Sequence, residues 1–510
     1  MSSEAVVLDG VSLSLEDLDA VCLRRAPVEL ALHAREGVGR SRAGIEAILS
    51  AGETVYGVNT GFGHLAGVRV APSDLVRLQQ NLLRSHAVGV GSPFGIPTTR
   101  AIMLLRANVL AAGHSGVRAT VLDTLLKILN HGIHPWLPRQ GSVGASGDLA
   151  PLAHLALVLI GEGFVHGPSG DRTPAGPVLE AAGIQPIDLA AKEGLALING
   201  TQAMTGLGSL VVNRARRLAR SADIVGALSV EAQMGSHTPF DPRLHALRPH
   251  PGQIASAALL RSLLDGGTIA HSHEGCEKVQ DAYSFRCMPQ VHGASRDAIE
   301  QAAAVLGREI NSVTDNPTVF ADTGEVLSGG NFHGQPVAMV LDYLALGTHE
   351  IGSISERRIE QLVNPKLSGL PPFLAAEAGL NSGFMMAQVT AAALVSESKL
   401  LCSSASADSI PTSANQEDHV SMGPLAARKC YRILENSEQI LGIELLVACQ
   451  GLDFRAPLVP SPALAAVHGL VRSVVPTLDS DRVLHPDLEA AAQLVRGGRL
   501  IETARPFLSS

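Results

Sequence analysis

The sequence predicts a mainly α-helical protein with minor β structure, in which a loop-rich N-terminal region precedes a long central helical bundle. Three observations predict it. The composition is 46% hydrophobic yet only 3% aromatic, which suits long, closely packed helices better than sheets. Between 336 and 360, Val337, Val340, Leu344, Gly347, Ile351 and Ile354 recur at alternating spacings of three and four, as a bundle seam does. The first two hundred residues, by contrast, are broken by glycine-punctuated loops around 52–63, 89–93, 141–147 and 163–176. With 510 residues there is room for several domain-sized units. The expected division is 1–200 for the loop-rich region, 201–450 for the bundle and 451–510 for a helical tail.

Taken in order, Ser14 and Ser41 open short helices, and 72–86 is helical up to Leu83, Arg84, Ser85 and His86. Residues 98–112 and 120–130 carry helical apolar spacing. Asp148 offers an N-cap to a helix whose stripe begins at Leu149, Leu152 and Leu155. The segment 163–176 suits a small hairpin, and 195–199 is apolar until it turns polar at Asn199. Helices are expected over 203–235, 336–360, 382–401, about 424–450 and after Pro462. Pro336 suits a first-turn position, and Asn364 with Pro365 ends its run.

The formal charge of -9 is spread without long runs, which argues against nucleic acid or an anionic membrane as partner. There is no apolar run near the ~20 residues that span a bilayer. The first residues lack a basic segment followed by an apolar core, so a cytoplasmic location is expected. Cys22, Cys276, Cys287, Cys402, Cys430 and Cys449 are scattered without a Cys-x-x-Cys pair and read as free thiols. His271, His273, Glu274 and Cys276 could supply metal ligands, but no second cluster at zinc-like spacing completes a site, and no metal is expected. His131 and His134 form a lone pair beside prolines and read as structural.

The chemistry centres on residues 141–154, where Gly141, Gly144 and Gly147 allow the backbone to fold back on itself before a buried helix. A phosphate loop would end in Gly-Lys-Ser/Thr, and no lysine is present. A hydrolase elbow needs Gly-x-Ser-x-Gly, and glycine precedes Ser146 one place too early. A dinucleotide fingerprint follows a strand, whereas 133–139 is broken by prolines. What remains is chemistry available to Ala145, Ser146 and Gly147 themselves. In a tight turn the Gly147 nitrogen can attack the Ala145 carbonyl carbon. Loss of two waters, one carrying the Ser146 hydroxyl, leaves a methylidene-imidazolone with an electrophilic exocyclic carbon. Small flanking residues permit the closure, and stored strain helps it. The plainer alternative is a flexible Gly/Ser connector.

The stretch Gly141–His154 resembles the signature of the histidine and aromatic amino-acid ammonia-lyases, and the resemblance extends over nearly the whole chain. It implies a fumarase/aspartase-like helical fold and no external cofactor. The prosthetic group would be 4-methylidene-imidazol-5-one (MIO), with Ser146 becoming a didehydroalanine inside an Ala145–Gly147 imidazolinone cross-link. It also implies a homotetramer with shared active sites. Removing an α-amino group together with a β-proton needs an electrophile, a base, a carboxylate anchor and a side-chain clamp. Tyr56 matches the family's catalytic base, and a phenol serves as a base only where neighbouring groups favour its anion. Asn199 matches the residue that holds the ring oxygen, an oxyanion-type role. Asp148 resembles a carboxylate that assists ring closure, a role compatible with capping. Arg286 can fork onto the substrate carboxylate, while Gln280 and the catalytic-set Tyr283 match residues of the same pocket. A solvated arginine fits poorly beside Phe285, Cys287 and Met288. Phe332 matches a pocket-wall aromatic.

His86 after Ser85 resembles the histidine-specific branch; in the tyrosine and phenylalanine branches histidine or an aromatic usually stands at the position of Ser85. Glu417 is a carboxylate where those branches tend to have an amide. It can accept an imidazole N–H, and against a phenyl group it would be desolvated without a partner. Taken alone, His86 would be an ordinary helix-end histidine. The implied reaction is elimination of ammonia from L-histidine to give trans-urocanate, the first step of histidine degradation. The alternatives are a tyrosine or phenylalanine ammonia-lyase, a MIO-dependent aminomutase, or a non-catalytic helical scaffold; a scaffold has no use for Arg286 and Glu417 in apolar surroundings.

Overall fold

The computed structural model describes residues 4–273, 275 and 278–508, so Glu274 and Cys276 of the weighed metal cluster lie outside the described residues. The chain divides into two compact units. The first comprises residues 1–210, 303–342 and 404–428, and the second 211–302, 343–403 and 429–510. Four of the five boundaries fall within long helices, Gln202–Gln233, Met288–Glu309, Gln335–Val363 and Gly423–Asp453, and the fifth falls just after Met385–Leu401.

The first unit is built around the helix Ile96–Ala111, which is buried on every side from Thr98 onward. Burial all round explains why its apolar residues show no single stripe. Helices Leu15–Leu23, Leu32–Ala51 and Ala119–Asn130 pack on it. A capping box starts the first of these: Ser14 Oγ accepts from the Asp17 N–H, and the Asp17 carboxylate accepts from the Ser14 N–H. The second begins nine residues before Ser41, because Gly37 and Gly39 are accommodated inside a helix that tertiary packing holds. A second group joins Leu75–His86, Leu149–Leu159 and Glu193–Ile198, which pack on one another and carry the candidate site.

Strand is confined to two-stranded pieces. Val6–Leu8 pairs in parallel with Val28–Leu30; the antiparallel pairs are Val90–Pro93 with Pro138–Gln140, Phe164–His166 with Arg172–Pro174, and Thr318–Phe320 with Glu325–Leu327. The third pair is the expected hairpin. The second was not legible, since a proline in each strand, Pro93 opposite Pro138, masks a short edge pairing.

The second unit holds 211–233, 288–302 and 343–363, the helix Met385–Leu401 and residues 429–453 of the long helices, with Pro462–Val474 after them. All six seam residues of 337–354 are buried. Gly352 lets helices approach closely, because a Cβ there would stand 3.0 Å from Ser437 Oγ. At its centre Arg358 forks onto Glu444 at 2.5 and 2.8 Å, both side chains fully buried, and Ser229 and Ser355 donate to the same carboxylate. A buried ion pair so fully bonded satisfies the charge that burial would otherwise leave exposed to a low dielectric. Among the described residues no helix is long and apolar enough to cross a membrane.

Candidate active site

A cavity of about 480 Å³ opens in the first unit, and Tyr56, His86, Ser146, Asn199 and Glu417 all line it. Leu149, Leu195 and Ile198 supply apolar wall. Five residues spread between Tyr56 and Glu417 thus converge on one space.

The loop carrying Ser146 is shaped by its glycines. Gly144 and Gly147 have φ of 70° and 72°, in the left-handed region. A Cβ on Gly147 would lie 2.2 Å from the Gly200 carbonyl oxygen, so no other residue fits without moving that backbone. The two glycines form an isolated bridge, and the Asp148 N–H donates to Gly200 O at 2.7 Å. Ser142 Oγ also donates to Gly147 O.

Asp148 does not cap its own helix. Its Oδ2 accepts from the N–H groups of Ala203 and Met204 at 2.8 and 2.9 Å, capping the start of Gln202–Gln233 instead. Complete burial pushes its carboxyl up to about 7, against the opposite pull of those two N–H groups. Its Oδ1 has no partner among the described residues.

Tyr56 sits on a loop, where its hydroxyl oxygen accepts from the Gly63 N–H at 3.3 Å. His86 ends the helix Leu75–His86 with Nδ1 placed 2.9 Å from the Leu82 carbonyl. A carbonyl can only accept, so Nδ1 bears the hydrogen and Nε2 is left as the acceptor of the neutral ring. Burial holds that imidazole below its usual pKa, opposed by the Leu82 bond and by the charge of Glu417. Asn199 is nearly fully buried; Nδ2 donates to the Asn316 carbonyl at 3.2 Å, and Oδ1 is unpaired among the described residues.

Glu417 lies in a turn where Ser413, Ala414 and Asn415 all have positive φ, 51°, 53° and 68°. Such a run of left-handed non-glycine residues is strained and marks a place where position matters more than stability. Thr412 Oγ1 and Ser413 Oγ donate to Glu417 Oε2 at 2.7 and 3.0 Å. Oε1 accepts from Ser146 Oγ at 3.1 Å. Sequence reasoning missed both hydroxyl residues; their adjacency to a turn, a few places before a carboxylate, was the available signal.

Phe332 is half-buried in the first unit and does not line the cavity. Gln280, Tyr283 and Arg286 belong to the second unit. Gln280 and Tyr283 stand exposed, and the Arg286 guanidinium lies 4.5 Å from the Tyr283 ring centre. Arg286 Nε is buried with no partner among the described residues.

A profile of the family described as aromatic amino acid lyase matches residues 13–473. The chain belongs to the aromatic amino acid lyase family. Among its relatives, a histidine ammonia-lyase of Anaeromyxobacter sp. (strain K) is 58% identical over 505 residues, covering 98% of this chain and 99% of the other. A solved histidine ammonia-lyase from Trypanosoma cruzi is 47% identical with a TM-score of 0.93, covering 99% of this chain and 96% of that one. A tyrosine aminomutase from Streptomyces globisporus is 41% identical with a TM-score of 0.94, covering 99% of each chain. The helical architecture expected from sequence is therefore that of the aromatic amino acid lyases. Fold alone does not separate lyase from aminomutase, which leaves the choice of substrate to the cavity's side chains.

Proposed function

We propose that this carbon–nitrogen lyase eliminates ammonia from L-histidine to give trans-urocanate. The observation that carries the reading is the placement of Glu417 and His86 on the wall of the cavity that holds Ser146. The Glu417 carboxylate and His86 Nε2 both accept, so together they suit the two N–H groups of a histidine imidazolium. A phenyl side chain offers neither of them a hydrogen, and a site made to hydrogen-bond its substrate rejects an analogue that lacks the group.

The Ala145–Ser146–Gly147 loop fits the self-made MIO group. Gly147 is already tight against Gly200 with left-handed φ, Ala145 and Gly147 are buried, and Asn199 and Asp148 hold unpaired oxygens. Formed from those three residues, MIO would supply an electrophile that makes the α-amino group a better leaving group. The rest falls to the chain's own side chains. Tyr56, whose oxygen accepts from the Gly63 N–H, would take the β-proton. Asn199 has a second amide hydrogen to offer beyond the one given to Asn316, and it would steady negative charge at the cavity wall. Glu417, locked by Thr412 and Ser413, would orient the imidazole and support positive charge on it. Arg286 is the carboxylate anchor, with Gln280 and Tyr283 beside it in sequence; Phe332 would add an aromatic wall. A homotetramer with shared sites is part of this reading.

Incubation with L-histidine, followed by the near-ultraviolet absorbance of urocanate, tests it. kcat/KM for histidine should exceed those for tyrosine and phenylalanine on the same preparation. A β-amino acid product, or an aromatic substrate that outruns histidine, would overturn it.

A further inference from the structure

Behind Asn199 lies a buried group of charges that the proposed chemistry does not use. Arg106 projects from the fully buried helix Ile96–Ala111 and is itself 0% exposed. Nη1 donates to the Asn199 carbonyl at 2.5 Å, while Nε and Nη2 have no partner among the described residues. Close enough to act on it electrostatically is the ion pair Lys192–Asp315, 2.8 Å long, with both side chains fully buried. Two cations therefore share one carboxylate in a dry interior. Burial pulls the guanidinium down to about 10 and the Lys192 ammonium below its usual value, yet Arg106 stays charged at neutral pH. An arrangement that leaves positive charge buried and under-bonded is unfavourable for folding. Local rules are broken in this way mostly where function requires it.

Its geometry points at Asn199. Asp315 Oδ1 accepts from the Asn316 N–H at 2.7 Å, and the Asn316 carbonyl accepts from Asn199 Nδ2. Asn199 is thus held at its side chain through Asp315 and Asn316, and at its backbone carbonyl by Arg106. The next residue, Gly200, has φ of 143° and no space for a side chain; a Cβ there would meet Gln202 Oε1 at 2.5 Å and Arg106 Nη1 at 3.1 Å. Gly200 O in turn accepts from the Asp148 N–H, fixing the Gly147–Asp148 peptide beside the nitrogen that must attack Ala145. Lys192 adopts φ of 75°, a strained conformation for a buried lysine and a further sign of a site over-determined by its surroundings.

We infer that Arg106 is a positioning residue: it presses the Asn199–Gly200 segment against the Gly147–Asp148 peptide, and its buried charge lends positive potential where Asn199 presents its amide. The inference rests on the lyase reading above and deepens it. Arg106 touches neither substrate nor the reacting loop and acts through Asn199.

The test uses the full chain with R106Q, R106K, N199A and the double variants, with intact mass as the first readout. Ring formation removes two waters per chain, and R106Q should lower the fraction of chains that lose them. Per matured chain, kcat should fall about tenfold or more with KM changed less than about threefold, because the lost interaction matters where charge develops. R106K keeps the charge and should lose less. In the N199A background either substitution should have little further effect, since residues acting as a unit are not additive. Wild-type mass and kcat in R106Q, or losses that multiply with N199A, would overturn the inference. If R106Q does not fold, the R106K/N199A comparison decides on the same criterion; if neither folds, Arg106 is a folding residue and the inference is wrong. Should the wild-type chain fail to convert histidine, the lyase reading fails, while the mass readout still judges Arg106.

Discussion

Ser146 Oγ donates to Glu417 Oε1 at 3.1 Å, joining two residues 271 positions apart. Glu417 is held from its other oxygen by Thr412 and Ser413, so the carboxylate is fixed from behind and presents Oε1 to the cavity. In the proposed reading this contact puts the carboxylate that would select the substrate within hydrogen-bonding distance of the residue that would become the electrophile.

Two substitutions in the loop should separate chemistry from folding. Ser146→Ala removes only a half-buried hydroxyl and should leave the fold intact while abolishing both the loss of two waters and the near-ultraviolet band. With one tryptophan and four tyrosines, the aromatic background against which that band is read is low. Gly147→Ala drives a Cβ into Gly200 O and forces a left-handed alanine, so it should also lower the melting temperature. Equal melting temperatures for the two variants would contradict the packing argument.

Glu417→Gln preserves shape and removes charge. A hydrogen bond to a charged group contributes about 1.5–3 kcal/mol, which corresponds to roughly 10- to 100-fold in kcat/KM for histidine. The melting temperature should change little, because the residue is only half-buried. Thr412→Val, which removes the 2.7 Å bond that aims the carboxylate, should give a smaller loss in the same direction. An unchanged kcat/KM in Glu417→Gln would remove the basis for histidine specificity.

Asp148 makes a prediction about pH. Its carboxyl is raised to about 7 in the folded chain, chiefly by burial, against an ordinary value of 3.8. Between those values the folded chain holds a proton that the unfolded chain has lost. Its contribution to stability is therefore largest below about pH 4 and is lost as pH rises through 7. Asp148→Asn cannot ionise, and its carbonyl can still accept from Ala203 and Met204. Melting temperatures of the two chains, compared from pH 4 to 8, should diverge with the wild type falling faster. Parallel curves would show that the carboxyl does not titrate in that range.

The long helices were legible because a three-and-four apolar spacing has one structural solution, and the six seam residues from Val337 to Ile354 are indeed buried. The tight loop at 141–147 was legible because its glycines sit where positive φ is required. Capping was misread at Asp148: sequence shows which helix a residue precedes, not which helix end lies opposite in space. Arg106 and Lys192 were illegible for a related reason. In sequence they are cations on apolar stretches, and only the fold shows that both are buried around a single carboxylate. Thr412 and Ser413 were missed because nothing in the sequence shows that their hydroxyls fold back onto Glu417.

The last prediction concerns Arg286, which belongs to the second unit and whose Nε is unpaired among the described residues. A buried guanidinium nitrogen without a partner suits an anion that arrives with the substrate. The proposed tetramer would place the Arg286 and Tyr56 of a given site on different subunits. Tyr56→Phe removes the base, and Arg286→Lys replaces a planar fork with a point charge, so each should be nearly inactive alone. If sites are shared, chains of the two variants made to exchange subunits will form some sites with an intact Tyr56 and an intact Arg286. Activity should then reappear in the mixture, and intact mass should show full maturation of both chains. Because Arg286→Lys weakens carboxylate binding, its residual activity should show a raised KM, whereas Tyr56→Phe should lower kcat. No recovery on exchange, with both variants matured and exchange verified, would mean that Tyr56 and Arg286 of a site come from the same chain.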